Sequence, residues 1–225
     1  MNRSGGTKPA GGCATRRPPA GVPNVSGLRS GSTPGFQAGV SVLELTIVLA
    51  LVAATAAISA PVFASSIDSG RGRQAAQYLA SECRNARMEA VARSAASAIV
   101  FDQIAGQWRI RRCRDGNGNG VRRADITSGR DACMSGSASL GEMFSGVSIV
   151  VDPALPDPDG GAGSSDPVRL GTANLASFTP TGTATGGTVY VRSAGGAQFA
   201  IRIAGATGRT RVLRYETVSH SWTEV

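Results

Sequence analysis

Histidine is nearly absent from this chain. Its 225 residues include one, His220, in a polar C-terminal stretch, so neither a Ser-His-Asp triad nor a multi-histidine metal site can be assembled. Lysine is confined to Lys8, and every later basic residue is arginine, a bias we attribute to genomic composition. The first 39 residues lack acid altogether but carry Arg3, Lys8, Arg16, Arg17 and Arg29. They supply most of the formal charge of +8, which falls to +3 beyond residue 39, where 18 basic residues face 15 acidic ones. The apparent basicity is therefore no argument for nucleic acid; a basic leader held in the cytoplasm accounts for it. Carboxylates are present, but Asp152, Asp157, Asp159 and Asp166 stand in a stretch rich in proline and glycine and read as solvent-facing. No enzyme and no cofactor is expected.

What the chain does have is one long apolar run. From Val40 to Ala64 the sole ionisable residue is Glu44. About 20 helical residues cross the ~30 Å hydrocarbon core of a bilayer, so the run is long enough to span one. A carboxylate at the start of a span costs a few kcal/mol unless it reaches the interface or finds a partner. A cut after Gly39 provides the partner: the new amine of Val40, four residues away, in the same or a neighbouring chain.

The string Gly39-Val40-Ser41-Val42-Leu43-Glu44 resembles the processing site of type IV pilins and type II secretion pseudopilins. In that family a prepilin peptidase cuts after glycine and methylates the new terminus, a glutamate is the fifth mature residue, and a proline such as Pro61 interrupts the helix some five turns later. Val40 replaces the usual phenylalanine, and the leader is longer than the family's. A cut between Gly35 and Phe36 would put Val40 in the fifth place and is rejected. An ordinary signal anchor is the plain alternative for the run.

Taken in order, residues 1–39 read as a disordered, cleaved leader, 40–64 as a membrane or filament-core helix and 65–97 as an amphipathic helix. Along the last of these Leu79, Cys83, Ala86 and Ala90 recur on one face, placing Cys83 toward a core. Arg73, Arg84, Arg87 and Arg93, alternating with Glu82 and Glu89, read as a solvated row. Residues 98–225 form an antiparallel β-rich domain: a hairpin over Ile99–Arg111, a loop-rich stretch from Cys113 to Gly146, a strand at 147–151, an exposed loop to Asp166, then strands near 188–191, 198–203 and 209–215. Glycine-rich turns between short apolar runs support strands over a helical bundle. The fold class is α+β, a long N-terminal helix packed on an antiparallel sheet. The hairpin around Phe101-Asp102 and Trp108, the segment Phe178-Thr179-Pro180-Thr181-Gly182 and the closing Gly208-Arg209-Thr210-Arg211 together resemble the GspH/FimT family of minor pseudopilins.

Three sets of side chains remain. Cys113 and Cys133 bracket a polar loop and are expected to bond in an envelope compartment, leaving Cys83 unpaired. Asp115, Asn117 and Asn119 begin like a calcium loop, but the twelfth position is Ile126, so a tight Asn/Gly turn competes with a cation site. Arg209 and Arg211 share a strand face, with Arg202 on a neighbouring strand. They read either as solubilising surface or, as the resemblance to FimT-like proteins implies, as a site for DNA. The resemblance thus implies a structural subunit of a secretion pseudopilus or type IV pilus, anchored in the inner membrane with its domain in the periplasm. Its partners would be other pilins and the peptidase; the alternative is non-specific DNA capture for natural transformation.

Overall fold

The structure, a computed structural model, describes residues 39–225; the expectations placed on residues 1–38, with Cys13, lie outside them. By internal packing the described residues divide into two units that meet between residues 46 and 47. Helix α1 runs Val42–Arg93, about 78 Å at 1.5 Å per residue. Ser41 caps it, its hydroxyl accepting from the Leu43 amide at 3.3 Å, and Ser94, in the left-handed region at φ 51°, ends it. It is one helix long and apolar enough to cross a membrane, near the N-terminus. Its large apolar side chains Val42, Leu45, Val48, Leu51, Ile58, Phe63 and Ile67 are exposed, and the hydroxyls of Thr55, Ser65 and Ser66 return to carbonyls one turn back. No hydroxyl of those three is left seeking water, which suits an apolar surround.

The expected interruption at Pro61 is not found: the helix continues through residue 61. Proline removes one hydrogen bond of the helical ladder, a local cost that a helix of this length can bear.

Beyond Gly70 the helix becomes a spine. Ala75, Ala76, Leu79, Ala80, Cys83, Ala86 and Ala90 are all buried. The small side chains bring α1 close to strands, and Gly72 is closest, since a Cβ there would stand 2.7 Å from the Phe199 ring.

Strands β1 (Ser97–Ile104) and β2 (Gln107–Arg114) form the expected hairpin. Its two-residue turn, Ala105-Gly106, has φ of 50° and 76°, the geometry that matches strand twist. After short α2 (Arg123–Thr127) come β3 (Ala132–Ser139), short α3 (Leu140–Met143), β4 (Val168–Arg169) and β5 (Leu175–Phe178). Then follow β6 (Gly187–Arg192), β7 (Gln198–Ile203), β8 (Thr210–Glu216) and β9 (Ser221–Glu224). Two antiparallel sheets result, ordered β3-β2-β1-β5 and β4-β6-β7-β8-β9. One core joins α1 to both, through Ile99, Phe101 and Phe178 of the first and Val191, Phe199 and Ile201 of the second. A smaller core behind β1 and β2 holds Val100, Cys113 and Val121.

Four expectations are corrected. The stretch Cys113–Gly146 is not mainly loop: it contains β3, whose small polar residues carry no alternating signal and which is placed by pairing with β2. The strand expected at 147–151 reduces to one bridge, Ser148 to Arg192. Glu82 and Glu89 do not lie on a solvated row; they turn toward β2, where Arg112 approaches both. Asp157 is not solvent-facing, since its carboxylate pairs with Arg169 and accepts from the Tyr190 hydroxyl at 3.4 Å.

Cys113 and Cys133 form the disulfide, directly opposed between β2 and β3, and Cys83 is free and buried. Burial pushes the Cys83 thiol up to about 12, with Glu82 adding to the effect and Arg84 opposing it, so it is an inert core thiol near neutral pH. Replacing both disulfide cysteines with serine is expected to cost about 3 kcal/mol. A chemical denaturation series should show it; an unchanged midpoint would mean that the crosslink constrains little of the unfolded chain.

Candidate functional site

Gly39 and Val40 precede α1 and are exposed. Glu44 lies in the first helical turn, exposed, with no ion-pair partner among the described residues. A negative charge there suits the positive end of the helix dipole, but the helix around it offers no basic side chain.

A second constellation sits on the domain. The β7–β8 loop is closed by Gly208, whose amide donates to the Ala204 carbonyl at 2.8 Å while the Ala204 amide donates to Arg209 at 2.9 Å. Gly208 has φ 62°. A Cβ on it would stand 2.5 Å from the Gly182 carbonyl oxygen and 2.9 Å from Arg87 Cδ and Nε. Gly182, at φ 85°, in turn offers its carbonyl to Arg87 Nε at 3.2 Å. The two glycine turns, far apart in sequence, are thus stacked against one arginine of α1.

The outcome is a groove of about 960 Å³ between α1 and the β8 end of the sheet, lined among others by Arg84, Arg87, Arg209 and Arg211. Arg211 approaches Glu224 at 3.6 Å with both side chains half exposed, a pair of little strength. Arg84 and Arg209 have no acid within ion-pair distance among the described residues. Thr210 also lines the groove, but its hydroxyl is buried and has no hydrogen-bond partner among the described residues.

Arg209 and Arg211 are therefore brought into one site, and Arg202 is not. Arg202 stands opposite Arg211 in the strand register but is held by Asp159 and does not line the groove. Arg84 and Arg87 are the residues that sequence reasoning missed. They belong to the row read as solvated, and no local signal distinguishes an arginine that faces water from one that faces a turn 95 or more residues on.

The Asn/Gly stretch resolves into turns. The Asp115 carboxylate accepts from the amides of Asn117, Gly118 and Gly120 at 2.8–3.0 Å, Asn117 accepts from the Asn119 amide, and the Asn119 side chain donates to Asp125. Partial burial works to raise the Asp115 carboxyl, but the amides of Gly120, Asn117, Gly118 and Asn119 outweigh it and hold the group below the usual carboxylate range. The side-chain oxygens of Asp115 and Asn117 proposed for calcium thus already accept the protein's own N–H groups. Among the described residues no three His, Cys, Asp or Glu side chains gather as a metal site.

With this geometry in hand, a scan of protein-family models, a search of curated proteins and a search of solved structures give no match to the chain. The functional reading is carried by the residues themselves.

Proposed function

We propose that this chain is a minor pseudopilin-like subunit of a periplasmic filament, of the GspH/FimT kind, serving a type II secretion pseudopilus or a type IV pilus. The observation that carries the reading is the first half of α1: exposed large apolar side chains with a single carboxylate, Glu44, in its first turn. That arrangement continues without a break into the spine of an α+β domain. An apolar helical surface of this length needs lipid or other helices as its surroundings, and a subunit that passes from membrane to filament meets both in turn. In this reading the leader stays in the cytoplasm, a prepilin peptidase cuts after Gly39, and the domain projects into the periplasm.

Intact-mass and N-terminal analysis of the protein from cells that carry a prepilin peptidase tests it. The expected product begins at Val40 with a methylated amine. A chain that keeps residues 1–39, or is cut elsewhere, would overturn the reading.

A second reading, DNA capture, is favoured by one specific observation: four arginines line one groove in which, among the described residues, only Arg211 has an ion-pair partner, Glu224 at 3.6 Å. It is compatible with the first, since a filament subunit can carry a ligand site. Arginine contacts to phosphate would make such binding independent of base sequence and steeply weakened by salt.

A further inference from the structure

We infer that the cavity beside α1, where the helix leaves its apolar segment, is a phospholipid headgroup site that selects an aminophospholipid, the phosphate meeting Arg73 and the ammonium meeting Asp152. This rests on the membrane half of the filament reading and goes beyond it by giving the domain itself a lipid contact.

Position comes first. A span of about 20 residues counted from Val42 ends near Phe63, so Ser65 to Arg73 falls at the level of the headgroups. Helix and domain are locked together there. The Asp68 carboxylate accepts from the Ser193 hydroxyl at 2.6 Å and from the Gly195 amide at 2.7 Å, and Gly72 packs against the Phe199 ring. The turn between β6 and β7 is therefore held beside the end of the apolar segment, with no linker to lift this end of the domain away from a bilayer.

The cavity at this junction measures about 710 Å³, within the ~300–1,000 Å³ of small-molecule sites. Ser65, Ser69 and Arg73 line it from α1, Asp152 from the loop after Val151, and Arg214 and Glu216 from β8. Arg214 and Glu216 stand 3.5 Å apart and answer each other. Arg73 and Asp152 have no ion-pair partner among the described residues, and the Asp152 carboxylate accepts only from the Ala154 amide, at 3.0 Å. Other arginines, Arg71 and Arg192 among them, also lack an acid, but they do not line this cavity. What sets the site apart is an unanswered cation and an unanswered anion in one cavity at headgroup height. A free phosphate or an anionic lipid would satisfy the first and meet like charge at the second. A zwitterionic headgroup carries both charges, and the primary ammonium of an ethanolamine lipid adds N–H donors for the carboxylate that the quaternary ammonium of a choline lipid lacks.

The test is native mass spectrometry of the full chain released from detergent micelles, titrated with phosphatidylethanolamine, phosphatidylcholine and phosphatidylglycerol of identical acyl chains, alongside carbonate extraction of membranes that carry the chain. The ethanolamine lipid is expected to bind about tenfold more tightly than the other two, the worth of one charge-assisted hydrogen bond. Arg73→Gln and Asp152→Asn should each lose about tenfold of that affinity, and Asp152→Asn, which keeps an acceptor for the Ala154 amide, should erase the preference over the choline lipid. Arg71→Gln, an exposed arginine of α1 outside the cavity, should bind as the parent does. A chain that resists carbonate yet binds the three lipids alike, or loses as much through Arg71→Gln as through Arg73→Gln, overturns this inference and leaves the filament reading standing. Soluble glycerophosphoethanolamine binding as tightly as the lipid would make the ligand a free solute and overturn it too. If carbonate strips the parent from the membrane, α1 does not span it, and the membrane reading and this inference fall together.

Discussion

Replacing Glu44 with valine is expected to leave cleavage after Gly39 intact and to abolish incorporation of the subunit into a filament. In the proposed filament role the cut would precede assembly and act on the Gly39–Val40 bond, whereas Glu44 would matter once the apolar half of α1 is packed among other helices. In that surround the new amine of Val40 is a charge with no water. An ionised group stripped of its partner in an apolar interior costs about 3–5 kcal/mol, and 3 kcal/mol is already more than a hundredfold in an equilibrium. Glutamine in place of Glu44 should fail nearly as badly, since it can accept a hydrogen bond but not balance the charge. Aspartate, one methylene shorter, should retain part of the function. The readout is the ratio of this subunit in sheared or purified filaments to that in membranes, for each variant. Valine at 44 incorporating at the parental ratio would show that the carboxylate has no part in assembly.

Substituting Gly208 with alanine is expected to destabilise the domain by about 2–4 kcal/mol and to weaken any anion binding at the groove. Two penalties combine at this position. The backbone is in the left-handed region at φ 62°, which costs any L-residue, and the added methyl meets the Gly182 carbonyl oxygen at 2.5 Å, a backbone atom that cannot rotate away. Relief requires the two glycine turns to separate, which pulls Gly182 from Arg87 and moves Arg209. Gly106 is the control, because it has φ 76° but nothing within 4 Å of its would-be Cβ. Gly106→Ala should therefore cost only the conformational part, about 1 kcal/mol. Denaturant midpoints for the two variants, measured in the same detergent, decide the matter. Equal shifts would mean that the close approach at Gly208 is not rigid.

Some of this was legible in the chain because the signal is local. The apolar run with its one carboxylate, the alanine-rich face that buries Cys83, the hairpin turning at Ala105-Gly106 and the strand at Gln198–Ile203 each rest on periodicity or on a turn residue within a few positions. The partnership of Cys113 and Cys133 was readable from their number and bracketing. β3 and β9 were not, because Ala132–Ser139 is small and polar and Ser221–Glu224 looks like a tail; each is a strand through what lies beside it.

By itself, then, the sequence determined an α+β chain with one membrane-length helix, a lone carboxylate at its start and glycine turns followed by arginines. Tertiary structure alone decided which arginines act together. Arg202 looked able to join Arg211 from a neighbouring strand and is claimed by Asp159, while Arg84 and Arg87 looked like surface and line the same groove as Gly208 and Arg209. The physical reason is that charge is neutralised by whatever is nearest in space. For these residues the nearest groups lie 43 to 95 positions away, a distance over which no pattern of spacing in the chain carries information.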